Sequence, residues 1–263
     1  MAHVACLTFD FDVVSSWIWR DQVTPTALSR GEFGLVGARR ILELLEGEGI
    51  AATWFIPGHT IESFPDDCRA VVAAGHEVGH HGYLHEPPAE LGSRKAEAAV
   101  LDRSLELIRS LTGADPAGYR SPSWDVNVWT PALLKRNGFL YDSSLMGNDV
   151  PYEVDTPEGP LTEVPVQWIM DDAPLFRHVY GAGNVIADPA RVFNLWSTEF
   201  TAMHRENACF VLTCHPFISG RASRVQLLED LVKFMRKQKG VWFTTCEEVA
   251  RWHVQQTAAG KRR

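Results

Sequence analysis

The chain has 263 residues, 45% hydrophobic and 22% charged, proportions that suit a globular protein and exclude a disordered or fibrous one. With 25 Lys and Arg against 33 Asp and Glu the formal charge is −8, and no basic stripe appears beyond the terminal Lys261-Arg262-Arg263, so nucleic acid is not an expected partner. A folded chain of this size buries roughly three-quarters of its extended surface, enough for one large core.

In chain order, residues 4–11 read as a buried strand and 35–48 as a helix with Ile41, Leu44 and Leu45 on one face. Residues 51–56 form a second strand closed by Pro57-Gly58, and Pro65 sits in the first turn of a helix ending at Gly75. Residues 89–112 read as one long helix striped by Leu101, Leu105 and Ile108 and stopped by Gly113. Thr130-Pro131 opens a short helix that Asn137-Gly138 ends; 143–161 is an irregular insertion, 162–169 is strand-like and 171–189 a long loop. Residues 208–214 are a strong strand, followed by a helix with Val225, Leu228, Leu231 and Met235 on one face. A strand at 241–243 precedes a final helix with Thr245 and Glu248 as its capping box.

Repeated β-then-α units with no linker and no internal repeat predict the α/β class and one domain over 1–263, its parallel sheet closed into a barrel or open and doubly wound. No apolar run approaches the roughly 18 residues of a membrane span. Residues 1–10 carry neither a basic leader nor a long apolar stretch. The five cysteines, odd in number and without a CxxC pair, fit reduced thiols. The expectation is a cytoplasmic protein with no membrane partner.

A barrel of this kind carries its chemistry at the C-terminal ends of its strands. Four such places hold unusual polar residues. The first strand ends Thr8-Phe9-Asp10-Phe11-Asp12, with two carboxylates on one side. The second place is 75–86, where the histidines are too dense for packing alone: five of the chain's 10 lie between His59 and His85. Two readings compete there. His76-Glu77-Val78-Gly79-His80 matches HExxH, the zinc protease signature, in which both histidines share a helix face and the Glu activates water. Gly75 and Gly79 each weaken such a helix by about 1 kcal/mol, and Tyr83 and Glu86 stand where the extended motif needs Gly and His. In the other reading His81 and His85 are the ligands, with a carboxylate from elsewhere. The third place is Gly118-Tyr119-Arg120-Ser121-Pro122-Ser123-Trp124, where an Arg alone would be an ordinary surface charge. The fourth is Cys214-His215-Pro216 at the mouth of the strongest strand. Neighbours on a strand point to opposite faces, so Cys214 and His215 are not a dyad.

Asp-x-Asp, HxxxH, RxPxW and a strand-end His, in this order from Phe9 to about Phe217, resemble the polysaccharide deacetylase family of metal-dependent hydrolases. The resemblance implies a single distorted (β/α) barrel of seven strands. It implies Asp10 as general base, oriented by Arg120, and His215 as general acid. Asp12, His81 and His85 would hold one divalent metal ion, zinc, with cobalt, nickel or manganese as alternatives. The backbone N–H of Ser123 would help to stabilise the oxyanion, and Asp171 or Asp172 would support His215. Gly82, Glu86 and Ser123 depart from the usual pattern. With Tyr141-Asp142-Ser143-Ser144-Leu145-Met146 they resemble an atypical subgroup that includes peptidoglycan deacetylase-like proteins, cyclic-imide hydrolases and a metal-independent allantoinase. The intact Asp12, His81 and His85 argue for a retained metal. The implied substrates are an N-acetylated sugar or a small cyclic amide, and the implied assembly is a homo-tetramer using 143–161 at an interface or mouth. Trp17, Trp19 and Trp124 are candidates to stack on substrate, or are core and lid aromatics. A non-catalytic carbohydrate-binding relative is the alternative from another class, and retention of Asp10 with His215 argues against it.

Overall fold

The first apolar run becomes strand β1 (His3–Asp10), buried at every position as a strand covered on both faces requires, in a computed structural model that describes residues 3–178 and 186–260. The strands that follow are β2 (Thr53–Ile56), β3 (Glu77–His80), β4 (Gly118–Tyr119), β5 (Tyr141–Asp142), β6 (Tyr152–Val154), β7 (Leu161–Glu163), β8 (Phe210–Cys214) and β9 (Val241–Phe243). Seven of them, in the order β7-β5-β4-β3-β2-β1-β8, pair in parallel as one curled sheet of the (β/α) barrel type. β6 adds antiparallel to β7 at the end of the path.

β1 is the centre of the arrangement. Thr8 pairs with both Thr53 and Thr213, and Ala5 with both Phe210 and Phe243, so β8 runs along one edge while β2 and β9 share the other. Beyond β7, Asp171 bridges in parallel to Thr213, which brings that segment to the outer edge of β8. This bridge puts Asp171 and Asp172 beside the strand that ends at His215.

Helices cover the outside. The longest, Pro25–Glu48, is capped by the Thr24 hydroxyl and ends at Gly49 in a left-handed conformation. It buries Ile41 and Leu45 against a core that includes Trp54, Trp196, Phe200, Phe210 and Leu231. Its glycines let it approach the turn after β8 closely: a Cβ on Gly37 would lie 2.0 Å from the Pro216 carbonyl oxygen.

Several elements differ from the sequence expectation. The 89–112 helix is split by chain punctuation: a 3-10 turn (Pro88–Leu91) ends at Gly92, and Ser93 caps a separate helix, Arg94–Thr112. The 143–161 insertion contains β6, whose pairing with β7 a local pattern does not reveal. The 162–169 strand shortens to β7, and Trp168–Met170 is a 3-10 turn. The 171–189 loop contains a helix, Asp172–Phe176, capped by the Asp171 side chain. Residues 179–185 of it, like Lys261-Arg262-Arg263, lie outside the described residues. Of the capping box, the Glu248 N–H donates to the Thr245 hydroxyl, 3.3 Å.

Candidate active site

The four sequence motifs converge at the C-terminal ends of β1, β3, β4 and β8. Asp10 is the last residue of β1 and Asp12 follows two residues on, both 3% exposed. Asp12 faces two histidines: Oδ1 lies 3.6 Å from His81 Nε2 and Oδ2 lies 3.7 Å from His85 Nε2. These separations are too long for hydrogen bonds. They are close to the roughly 3.4 Å that separates two ligand atoms on a tetrahedral ion with ~2.1 Å bonds. Asp12 Oδ1 and His81 Nε2 are buried without hydrogen-bond partners, an arrangement that is costly unless a shared cation satisfies both. His81 Nδ1 sits 2.7 Å from the Arg120 carbonyl oxygen. A carbonyl can only accept, so Nδ1 carries the proton and Nε2 presents its lone pair to Asp12 and His85. The donor set fits one divalent ion.

The loop that places these histidines is built on a buried carboxylate. Glu86 Oε2 accepts from the Tyr83 and Leu84 N–H groups, 2.9 and 2.7 Å, and His85 is held at φ 64°. Gly82 has φ 69°, and a Cβ there would lie 3.0 Å from Pro122. Gly82 and Glu86, two of the three departures noted in the sequence, thus belong to one turn.

Arg120 follows β4 and is fully buried. Its Nη1 donates to Asp10 Oδ1 at 2.9 Å and to the Thr8 hydroxyl at 2.7 Å. Its Nε and Nη2 reach the Ser143 carbonyl and hydroxyl, 3.1 and 3.0 Å, and the guanidinium lies 4.1 Å from the Phe55 ring centroid. Burial alone would raise the Asp10 pKa, but the Arg120 guanidinium beside it holds it below the usual carboxylate range.

His215 is the residue between β8 and the short helix Pro216–Ser219. Its Nδ1 is 2.7 Å from Asp172 Oδ1 and 3.8 Å from Asp171 Oδ1, and its own N–H donates to Asp172 Oδ2 at 2.8 Å. Ser219 donates to the same Asp172 oxygen, 2.5 Å. Burial works against charge on the ring, but Asp172, then Asp171 and Asp10, raise its pKa to about 10. Asp171 caps its own helix and is pushed up to about 7 by burial.

The remaining candidates are spread around this mouth. Ser123 is exposed on the Pro122–Trp124 turn, where it and Trp124 have φ of 59° and 53°. Trp124 is buried on Trp168, with ring centroids 4.4 Å apart, and Trp17 is buried edge-on against Phe217 at 4.8 Å. Trp19 donates its indole N–H to Glu90. Sequence reasoning missed Thr8, Ser143 and Ser219, which position the charged groups. Thr8 had a signal, since it lies two residues before Asp10 on the same strand face.

The HExxH reading fails on conformation. Glu77–His80 is β3, so His76 and His80 do not share a helix face. Glu77 accepts from the Tyr141 hydroxyl, the Thr53 hydroxyl and the Glu247 N–H, whereas His80 Nε2 meets the Leu101 carbonyl.

Residues 36–141 match the family model for polysaccharide deacetylase, a span with His81, His85 and Arg120 but not Asp10, Asp12 or His215. The peptidoglycan deacetylase of Helicobacter pylori is 36% identical, over 92% of this chain and 92% of that protein. A peptidoglycan deacetylase-like protein of Gibberella zeae is 31% identical, over 93% of this chain and 84% of its own. A crystal structure of a candidate polysaccharide deacetylase from Mycobacterium smegmatis superposes with a TM-score of 0.91 at 35% identity, covering 97% of this chain and 92% of that one. An allantoinase structure shares the fold, with a TM-score of 0.85 at 24% identity over 96% of this chain and 91% of that one.

Proposed function

The chain belongs to the polysaccharide deacetylase family, hydrolases of non-peptide C–N bonds, and from that premise we propose that it is a metal-dependent amide hydrolase that removes an N-acetyl group from a sugar or opens a small cyclic amide. The observation that carries this reading is the pairing of two carboxyl–cation devices, Asp10 with Arg120 and His215 with Asp172, at the same strand ends as the Asp12–His81–His85 cluster.

A divalent ion held by Asp12, His81 and His85, zinc or else cobalt, nickel or manganese, would supply a Lewis acid to the amide carbonyl and make water more acidic. Asp10, kept ionised by Arg120, takes the proton from the water that attacks the carbonyl carbon. The negative charge that develops on oxygen is met in part by the Ser123 N–H. His215, kept protonated by Asp172, then donates to the departing nitrogen, and the C–N bond breaks to give a carboxylic acid and an amine. The two groups have pKa values pushed apart in the directions those roles need, the base down and the acid up. Trp17 and Trp124 would line the approach of a flat ring. Trp19 is tied to Glu90 and would act at the rim.

The deciding experiment is hydrolysis of a panel of chitooligosaccharides, muropeptides, succinimide-like rings and allantoin by metal-loaded protein. Turnover of an acetamido sugar or of a ring amide supports the reading; turnover of none returns it to a carbohydrate-binding role. The homo-tetramer is supported by Met146 and Val150, apolar residues exposed on the 143–161 segment. Light scattering at micromolar concentration tests it, and a monomer would contradict it. Among the described residues no helix is long and apolar enough to cross a membrane. The five free, buried cysteines support function in the cytoplasm.

A further inference from the structure

Asp142 on β5 stands directly opposite Glu163 on β7 in the parallel ladder, and both are fully buried. Residues paired across a ladder point to the same face, and these two carboxyl groups are within hydrogen-bond reach of one another. Each gives one oxygen to the turn that follows β5. Asp142 Oδ1 accepts from the Ser143 N–H at 2.8 Å and the Ser144 hydroxyl at 2.6 Å. Glu163 Oε1 accepts from the Ser144 and Leu145 N–H groups at 2.9 and 2.8 Å. The other two oxygens, Asp142 Oδ2 and Glu163 Oε2, are buried without a donor from the rest of the protein.

Two ionised carboxylates cannot hydrogen-bond to each other, since both only accept. One proton between them makes one group a donor and satisfies both oxygens, as in other carboxyl pairs that share a site. The titratable groups facing the pair are Arg120 and Tyr119 from the β4 side and Tyr152 from β6. Helices Thr130–Arg136 and Cys246–Gly260 also pack on β7, and their Arg136 and Arg251 are taken by Glu158 and Glu247. Arg120 favours one negative charge at Asp142, while burial, and for Glu163 also the Asp142 charge, push both carboxyls up. One charge and one proton is the state that these neighbours support.

The turn held by these oxygens is the one that clamps Arg120. Ser143 offers its carbonyl and hydroxyl to the guanidinium, and the Ser144 hydroxyl accepts from the Ser121 N–H at 2.8 Å. We propose that Asp142 and Glu163 are positioning residues that share one proton at neutral pH, fixing the Ser143-Ser144 turn and through it the Arg120 guanidinium that orients Asp10. The proposal rests on the amide-hydrolase reading above for its effect on rate, and on the ladder and its hydrogen bonds for the proton.

In Glu163→Gln the new side chain keeps an acceptor for the two N–H groups and replaces the shared proton by a fixed N–H donor. Glu163→Ala should lower kcat by ~10-fold or more, with KM and bound metal unchanged, and Glu163→Gln should restore it. The double variant Asp142→Asn, Glu163→Gln sets two NH₂ groups against each other and should fall back toward the alanine level, whereas a pair of ionised carboxylates would be relieved by the same change. Should Glu163→Ala not fold, the contrast between the single glutamine variant and the double variant carries the test. Infrared difference spectra at neutral pH read the proton without any substrate: the wild type should show a carboxylic acid C=O band that Glu163→Gln lacks. An unchanged band, or a double variant as active as the wild type, would overturn the shared proton. A normal kcat in folded Glu163→Ala would overturn the positioning role. If no amide is cleaved by any form, the reaction reading fails, and the infrared band still decides the proton.

Discussion

Asp10 serves two partners, and the two roles predict different outcomes when it is changed. As the base, Asp10→Asn should lower turnover by at least ~10² while the metal stays bound. As the ion-pair partner of a fully buried Arg120 it also has a stability role, because breaking one side of a buried ion pair costs ~3–5 kcal/mol. Turnover per folded, metal-loaded molecule and melting temperature, taken on the same preparation, separate the two. A normal kcat in a destabilised protein would make Asp10 structural.

His215 supplies the pH dependence. Its pKa rises from 6.5 to about 10 in the fold, so its pair with Asp172 contributes stability fully present below about pH 6.5 and lost as pH rises through about 10. The ring therefore stays protonated across the neutral range, as an acid must. Asp172→Asn removes the main raising influence, and the basic limb of the kcat profile should move to lower pH. An unshifted limb would mean that Asp172 does not set the acid. The choice between Asp171 and Asp172 was not legible in sequence, because adjacent residues differ only in which way the backbone turns them. The bridge from Asp171 to Thr213 and the Asp171 cap settle the orientation, leaving Asp172 on the imidazole.

Elements with strong local patterns were readable: β1, β2, β8 and β9, and the faces of Pro25–Glu48 and Ala222–Arg236. β4 and β5, two residues each, were not, since they are defined by ladders to strands distant in sequence, β4 to β3 and β5, and β5 to β4 and β7. The clamp on Arg120 was hidden for the same reason. Ser143 reaches it only because β5 lies beside β4. Long-range pairing decides such pieces, and no window of sequence contains it. The glycines of Pro25–Glu48 show a related effect. In an isolated helix Gly→Ala stabilises by about 1 kcal/mol. At Gly37 the sign should reverse, because the new methyl would meet the Pro216 carbonyl at 2.0 Å, and the neighbour is backbone rather than a movable side chain. Gly37→Ala should lower the melting temperature and, by displacing the turn after His215, lower kcat as well. At Gly47, where nothing lies within 4 Å, the same change should stabilise. Equal effects at both positions would refute the close approach.

Seven parallel strands gather residues from 10 to 215 at one end of a single sheet, which is why four separate motifs make one mouth. Their order and spacing were legible because each motif sits at a strand end. The most direct measurement is a titration of metal-stripped protein with a divalent ion, following both bound metal and amide hydrolysis. The geometry predicts no turnover without metal, activity rising to a plateau at one ion per chain, and loss of both in His81→Ala but not in His76→Ala. Full turnover in the stripped protein, or metal binding that depends on His76 and not His81, would contradict it.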